Sequence, residues 1–165
     1  SVNVSMRRLN DHELLESLRG FSLTPGTVSF ELLESIFLDD TDEVVSQNIE
    51  RLKRLGIDID IADFGTGHAS IAGLLKLKPK RLKIDRQFVL PIVESAEKRR
   101  LISSMIDMAK ALNIEVVAEG VKTMEHAQIL QDLGCSLLQG YVFSRPMPAA
   151  DVEAFARDYN RRLTA

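Results

Sequence analysis

The stretch IDIDIADFGTG, residues 57–67, decides how this chain folds. Its three isoleucines stand at every second position and share one face of a strand, while two aspartates and Ala62 share the other face. The apolar face suits packing beneath helices, and the second face becomes polar towards its carboxyl end. Gly65 and Gly67 then mark a loop directly after the strand. The stretch therefore predicts one strand of an α/β fold that delivers polar residues to the carboxyl edge of a sheet.

The same strand-then-helix unit repeats along the whole chain. Six strands are predicted, at residues 2–5, 28–33, 57–63, 81–85, 114–119 and 137–142. Each is followed by a predicted helix, at residues 11–18, 42–55, 68–77, 97–112, 124–133 and 150–161. This alternation predicts βαβ units and a mainly parallel sheet.

Six units are too few to close a (β/α)₈ barrel, which needs eight. We predict a TIM-like barrel of which about six units are present, with the first two strands upstream of Ser1. The alternative is a six-stranded doubly wound sheet. A nucleotide-binding loop is not favoured, because residues 65–67 lack the third glycine of the dinucleotide pattern and the Gly-Lys-Ser/Thr ending of a P-loop.

Composition narrows the class of protein. The chain is 45% hydrophobic and 27% charged, which is typical of a globular domain with a real core. A net charge of −3 argues against a DNA- or RNA-binding protein, which would show a basic excess. Cys135 is the only cysteine, so no disulfide can form within the chain. We therefore expect a reducing, cytoplasmic setting, compatible with a membrane tether upstream, and a buried Cys135.

Every predicted strand brings a polar residue to the same rim of the sheet. In chain order these residues are Asn3, Glu31, Asp63, Lys83, Glu119 and Gln139. Buried charges are costly unless they are paired or bind a metal, so six of them in register predict a functional site. Carboxylate and amide oxygens suit Mg²⁺, Mn²⁺ or Ca²⁺, and a lysine beside them can help to deprotonate a metal-bound water.

Six short motifs, in this order, resemble those of the EAL domain family, the bacterial cyclic-di-GMP (c-di-GMP) phosphodiesterases. They are NVS at 3–5, ELLES at 31–35, ADFGTG at 62–67, KID at 83–85, AEGV at 118–121, and QGY at 139–141 with RP at 145–146. The resemblance implies a (β/α)₈ barrel of the EAL type, with residues 1–165 forming one domain that is incomplete at its N-terminus.

The resemblance also implies roles for individual residues and a cofactor, Mg²⁺ or Mn²⁺. The implied metal ligands are Asn3, Glu31, Asp63 and Glu119. The implied catalytic residues are Lys83, which would contact the catalytic water, Glu119, and Glu34, which would steady a loop over the site. The implied substrate-binding residues are Gln139, Arg145 and Asp85.

The departures from the family pattern weaken the expectation of catalysis. Ala62 replaces an aspartate at the metal site, Lys122 stands where a glutamate is usual, and Leu33 stands where a threonine is usual. The glutamate of the Glu-Ala-Leu motif would lie upstream. Losing a carboxylate and gaining an ammonium disfavours cation binding. Asp60 lies one step deeper along the strand, too far to replace the lost ligand, and we expect it to pair with Arg81 or Lys83.

Three functions fit this pattern. The first is a catalytically impaired domain that binds c-di-GMP and acts as a regulatory module. The second is an active Mg²⁺- or Mn²⁺-dependent phosphodiesterase that opens c-di-GMP to pGpG, and the third is an interaction domain without a nucleotide. Ala62 fits either natural loss of a ligand or an engineered substitution. The resemblance also suggests a homodimer and a fused sensory or GGDEF domain upstream.

Overall fold

The computed structural model describes residues 1–38, 43–67 and 70–163. Its strands are β1 (Val2–Asn3), β2 (Val28–Leu33), β3 (Ile57–Phe64), β4 (Arg81–Ile84), β5 (Glu115–Ala118) and β6 (Leu137–Leu138). Its helices are α1 (Met6–Leu9), α2 (His12–Arg19), α3 (Glu43–Arg54), α4 (Ile71–Leu77), α5 (Arg86–Val89), α6 (Ala96–Ala111), α7 (Met124–Asp132) and α8 (Ala149–Leu163). Two 3₁₀ segments, Glu34–Leu38 and Leu90–Val93, complete the described part.

All six strands are parallel and lie side by side in chain order, from β1 at one edge to β6 at the other. A doubly wound sheet reverses its strand order at a switch point, because the chain winds outward in both directions. No such reversal occurs among the described strands. The order is that of consecutive units of a (β/α)₈ barrel, which confirms the barrel prediction and rules out the doubly wound alternative.

The core lies between the sheet and its helices, as the alternation in β3 predicts. Ile57, Ile59 and Ile61 are each at most 1% exposed. They pack in one cluster with residues from β2, β4, α3 and α6, such as Ile49 and Ile102. Because a one-residue slip would turn this apolar set to the opposite face, the register of β3 is strongly specified.

The predicted boundaries differ from the observed ones where capping and turns intervene. β1 ends at Asn3 rather than Ser5, since the Ser5 hydroxyl accepts a hydrogen bond from the Arg8 amide and caps α1. β6 ends at Leu138, four residues before the prediction. The predicted starts of two helices, at residues 42 and 68, lie outside the described residues. The four-residue helices α1 and α5 were not predicted, because so short a helix has no hydrophobic period.

Cys135 is buried, as predicted, at the end of α7. Its Sγ lies 3.3 Å from the Leu137 carbonyl oxygen and 3.6 Å from that of Val116. Burial raises the pKa of the Cys135 thiol, so the residue behaves as a small apolar side chain and not as a nucleophile. Along the described residues, none of the helices combines the length and the apolar character needed to cross a membrane.

Candidate active site

Three charged side chains meet at the carboxyl rim of the sheet. The Lys83 ammonium on β4 lies 2.6 Å from Glu31 on β2 and 2.5 Å from Glu119, which follows β5. Lys83 is 5% exposed. Burial alone would lower the pKa of Lys83, but its hydrogen bonds to Glu119 and Glu31 outweigh burial and hold the pKa above its usual value. Lys83 is therefore a fixed cation between two carboxylates.

Ala62 allows this arrangement. β2 and β4 are not neighbours, because β3 lies between them. Strands two apart are separated by about 10 Å, so Lys83 reaches Glu31 only by extending across β3. Ala62 comes directly after the register pair Ile61–Leu82, and a methyl group would obstruct that path less than a longer side chain.

Asp63 is aimed into the site by an irregularity in β3. Strict alternation would put Asp63 on the apolar face with Ile61, yet the register with β4 shifts between Ile61 and Phe64. Asp63 also has a left-handed backbone, with a φ of 55°. A bulge of this kind re-aims a side chain, and aspartate tolerates the left-handed region better than most residues do.

The Asp63 carboxyl faces other carboxyl groups. Burial raises the pKa of Asp63, and a hydrogen bond to the Asp85 side chain with the charges of Asp85 and Glu31 raises it further. The Lys83 ammonium opposes this rise only in part. Two carboxyl groups that share a hydrogen bond favour holding a proton between them, so this part of the rim carries an excess of acceptor oxygens.

Glu34 anchors the loop that follows β3. Its side chain is buried, and its Oε2 accepts hydrogen bonds from the Thr66 hydroxyl at 2.7 Å and from the Gly67 amide at 3.1 Å. The loop begins at Gly65, where an added Cβ would lie 2.7 Å from the Met105 side chain. Glu34 thus positions the loop, in agreement with the role that the motif implied.

Replacing Glu34 by glutamine should loosen this loop. Hydrogen bonds to a charged acceptor are about twice as strong as neutral ones. We therefore expect the Gly67 amide of a Glu34→Gln variant to exchange with solvent about 10-fold faster, a change of about 1.4 kcal/mol. Hydrogen exchange read at that amide by NMR tests this. Thr66→Val, which leaves the carboxylate and the Gly67 bond in place, is the control and should change the rate less. Unchanged exchange in Glu34→Gln would refute the anchoring role.

Within the described part of the chain, Asp63 lines two cavities at the rim. The larger cavity has a volume of about 780 Å³. The residues that line it are Asp63, Asp85, Arg86, Leu90, Glu119, Gly120, Lys122, Gln139, Gly140, Tyr141, Ser144, Arg145 and Pro146. The second, of about 740 Å³, is lined by Asn3, Val4, Ser5, Arg8, Glu31, Leu33, Ala62 and Asp63.

Most of the predicted site residues divide between these cavities, while Lys83 and Glu34 line neither. Asp85, Gln139 and Arg145, predicted to contact substrate, all line the larger cavity. Asn3 and Glu31 line the second. Gln139 lies one residue past the end of β6 and is exposed, as is Asn3 at the end of β1.

The departures from the motif also fall at these cavities. Ala62 and Leu33 line the second cavity, where the Leu33 side chain is 57% exposed. Lys122 lines the larger cavity. Asp60 is buried deeper in the sheet, with its Oδ2 3.5 Å from Arg81, which confirms the expected pairing.

The oxygen donors suit a hard divalent cation in kind but not in placement. Within the described residues, no three histidine, cysteine or carboxylate side chains converge closely enough to hold a metal ion. Glu31 and Glu119 are both paired with the one positive charge of Lys83, and Asp63 shares a hydrogen bond with Asp85. Ala62 contributes no ligand. The arrangement therefore fits a divalent metal poorly.

Sequence reasoning gave no role to several residues of the larger cavity, among them Arg86 and Tyr141. Arg86 lies directly after the KID motif. Tyr141 is 63% exposed, and the Arg145 guanidinium lies over its ring, 5.2 Å from the ring centre. The sequence offered two signals for these residues. One is a basic residue directly after a predicted strand, and the other is an aromatic residue directly after a glycine.

Comparisons with known proteins identify the family. A sequence model of the EAL domain matches residues 1–146. The cyclic di-GMP phosphodiesterase NbdA of Pseudomonas aeruginosa is 37% identical over 147 residues, which are 89% of this chain and 19% of that protein. The chain thus spans about a fifth of the length of this curated relative.

Solved structures of similar sequence share the fold. The EAL domain of Mycobacterium smegmatis DcpA has a TM-score of 0.85 at 32% identity, covering 94% of this chain and 71% of that one. BlrP1 of Klebsiella pneumoniae, solved with manganese and cyclic di-GMP, has a TM-score of 0.75 at 30% identity, covering 87% of this chain and 38% of that one. The chain belongs to the EAL domain family.

Proposed function

We propose that this chain is a c-di-GMP-binding module of a signalling protein, and that it holds the dinucleotide without cutting it efficiently. The observation that carries the proposal is the position of the Lys83 ammonium between Glu31 and Glu119, beside Ala62. Two carboxylates that a metal would need are already paired with Lys83, and a third carboxylate is missing. Mg²⁺ or Mn²⁺ would then bind weakly, while the larger cavity stays open to a ligand.

In this proposal the site residues have three roles. Glu34 positions the loop after β3, while Asp85, Gln139 and Arg145 contact the ligand in the larger cavity. Lys83 keeps Glu31 and Glu119 in ion pairs, which leaves them less able to bind a metal ion. Relatives such as NbdA, by its name, and BlrP1, in complex with cyclic di-GMP, support the identity of the ligand.

The second candidate is an active phosphodiesterase that opens c-di-GMP to pGpG. It is favoured by the survival of five predicted residues at one rim, in chain order Asn3, Glu31, Asp63, Lys83 and Glu119. In this case a bound divalent ion would supply Lewis-acid stabilisation of the reacting oxygens. Glu31 and Glu119 would then have to leave Lys83 and turn to the metal.

A homodimer, a sensory or GGDEF domain upstream, and a cytoplasmic setting belong to the same proposal. They rest on the family resemblance and, for the setting, on the single buried thiol of Cys135. They concern whole proteins, and this chain matches only a part of the length of its relatives.

Thermal unfolding in the presence of c-di-GMP tests the binding function. A ligand at 100 times its Kd stabilises the folded state by about 2.7 kcal/mol, so the unfolding temperature should rise with c-di-GMP concentration. GMP at equal concentration is the control and should give a smaller shift. An unfolding temperature that does not respond to c-di-GMP, with or without Mg²⁺, would rule out both candidate functions.

A further inference from the structure

Three cationic side chains line the larger cavity, and we call this set of side chains the cationic wall. They are Arg86 at the start of α5, Lys122 after β5 and Arg145 after β6. All three are exposed to solvent, and none of them is in an ion pair with a described carboxylate. Like charges gathered in one cavity repel each other unless an anion lies between them.

Close contacts bring together the backbone segments that carry these three cations. An added Cβ at Gly120 would lie 2.5 Å from the Arg86 Cβ, so the loop after β5 rests directly on the start of α5. An added Cβ at Gly140 would lie 2.1 Å from the Val121 carbonyl oxygen. The Val121 amide also donates to the Gln139 carbonyl at 3.1 Å. The three segments are therefore in direct contact, which places their cations in one cavity.

The cavity is lined by two sets of side chains of opposite charge. Asp63, Asp85 and Glu119 line it from the ends of β3, β4 and β5. The cationic wall faces the same space. A ligand that fits both sides has an anionic group and hydrogen-bond donors, as a nucleotide has in its phosphate and its base. Arginine binds phosphate oxygens through two parallel hydrogen bonds, and lysine acts as a point charge.

We propose that Lys122, together with Arg86 and Arg145, holds a phosphodiester group of the cyclic dinucleotide without a metal ion. This inference rests on the proposed function and assigns the phosphate contact to this wall. At the position of Lys122 the family motif usually has glutamate, which would repel a phosphate. The contact by Lys122 is therefore a property of this chain, and it replaces part of the attraction that metal ions would otherwise supply.

Calorimetric titration of c-di-GMP in EDTA tests the proposal on the complete protein. We expect Lys122→Met to bind about 10-fold more weakly than the unmodified protein, and Lys122→Glu about 100-fold more weakly, in the range for lost charged hydrogen bonds. Affinity should also fall less steeply with added salt in Lys122→Met, because one screened attraction is gone. Lys76→Met and Lys76→Glu are the matched controls, since Lys76 is an exposed lysine on α4 outside both cavities.

Each result has one meaning. Weaker binding by both Lys122 variants in EDTA, with unchanged circular dichroism and unchanged Lys76 controls, supports the phosphate contact. Binding that is equal in the Lys122 variants, or that needs Mg²⁺ in the unmodified protein, overturns the contact and leaves the binding function standing. No binding by the unmodified protein in either EDTA or Mg²⁺ overturns both.

Discussion

Lys83→Met should destabilise the folded protein by about 3 kcal/mol. Removing one partner of a buried ion pair typically costs 3–5 kcal/mol, because the other charge is left without compensation. Here two carboxylates are left, and the lower end of that range applies because Glu31 and Glu119 keep 12% and 20% of their side-chain surface exposed. Urea unfolding followed by circular dichroism, without divalent ions, measures the change.

Two comparisons make this result specific to the charge. Adding Glu31→Gln and Glu119→Gln to Lys83→Met removes the uncompensated charges and should restore most of the lost stability. Lys76→Met removes an exposed lysine from α4 and should change the free energy of unfolding by less than about 0.5 kcal/mol. If Lys83→Met were as stable as Lys76→Met, the ammonium would not be holding the two carboxylates.

Ala62→Asp should restore metal binding and, with it, hydrolysis of c-di-GMP. The Ala62 side chain lines the second cavity beside Glu31 and Asp63, so a carboxylate can extend into open space. It would also lie on the path by which Lys83 now reaches Glu31. Outer-shell partners of a metal are worth about 10–100-fold in affinity or activity, and a direct ligand should be worth at least as much. We therefore expect Mn²⁺ to bind at least about 10-fold more tightly.

The matched control is Ala62→Asn, which has nearly the same shape and no charge. Calorimetric titration with Mn²⁺ gives the affinity, and chromatography of the nucleotide gives the turnover. The aspartate variant should exceed both Ala62→Asn and the unmodified protein. Equal Mn²⁺ affinity in the two variants would show that the missing carboxylate is not what limits metal binding.

The strand order and the rim could be predicted because they depend on short-range periodicity. β2 has its predicted bounds, and the alternating isoleucines of β3 are buried as expected. In a parallel sheet the ends of successive strands meet at one edge, so Glu31, Lys83 and Glu119 were expected at the same rim. The motif also assigned Glu34 to a loop over the site; Glu34 does bond to the loop after β3, and its role in catalysis stays a prediction.

The details of the site could not be predicted because they depend on tertiary geometry. The bulge that aims Asp63 into the site is a shift in register between β3 and β4 that no local pattern encodes. The reach of Lys83 to Glu31 across Ala62 depends on the curvature of three strands together. The cationic wall depends on close backbone contacts at Gly120 and Gly140, which sequence spacing does not show.

The most direct test of the account is a calorimetric titration of c-di-GMP into the complete protein with Mg²⁺, followed by chromatography of the same sample. We predict a saturable heat of binding and recovery of intact c-di-GMP, because Lys83 and Ala62 leave the rim without the ligands that a catalytic metal needs. Saturable binding with pGpG as the recovered nucleotide would contradict this account and establish the protein as an active phosphodiesterase.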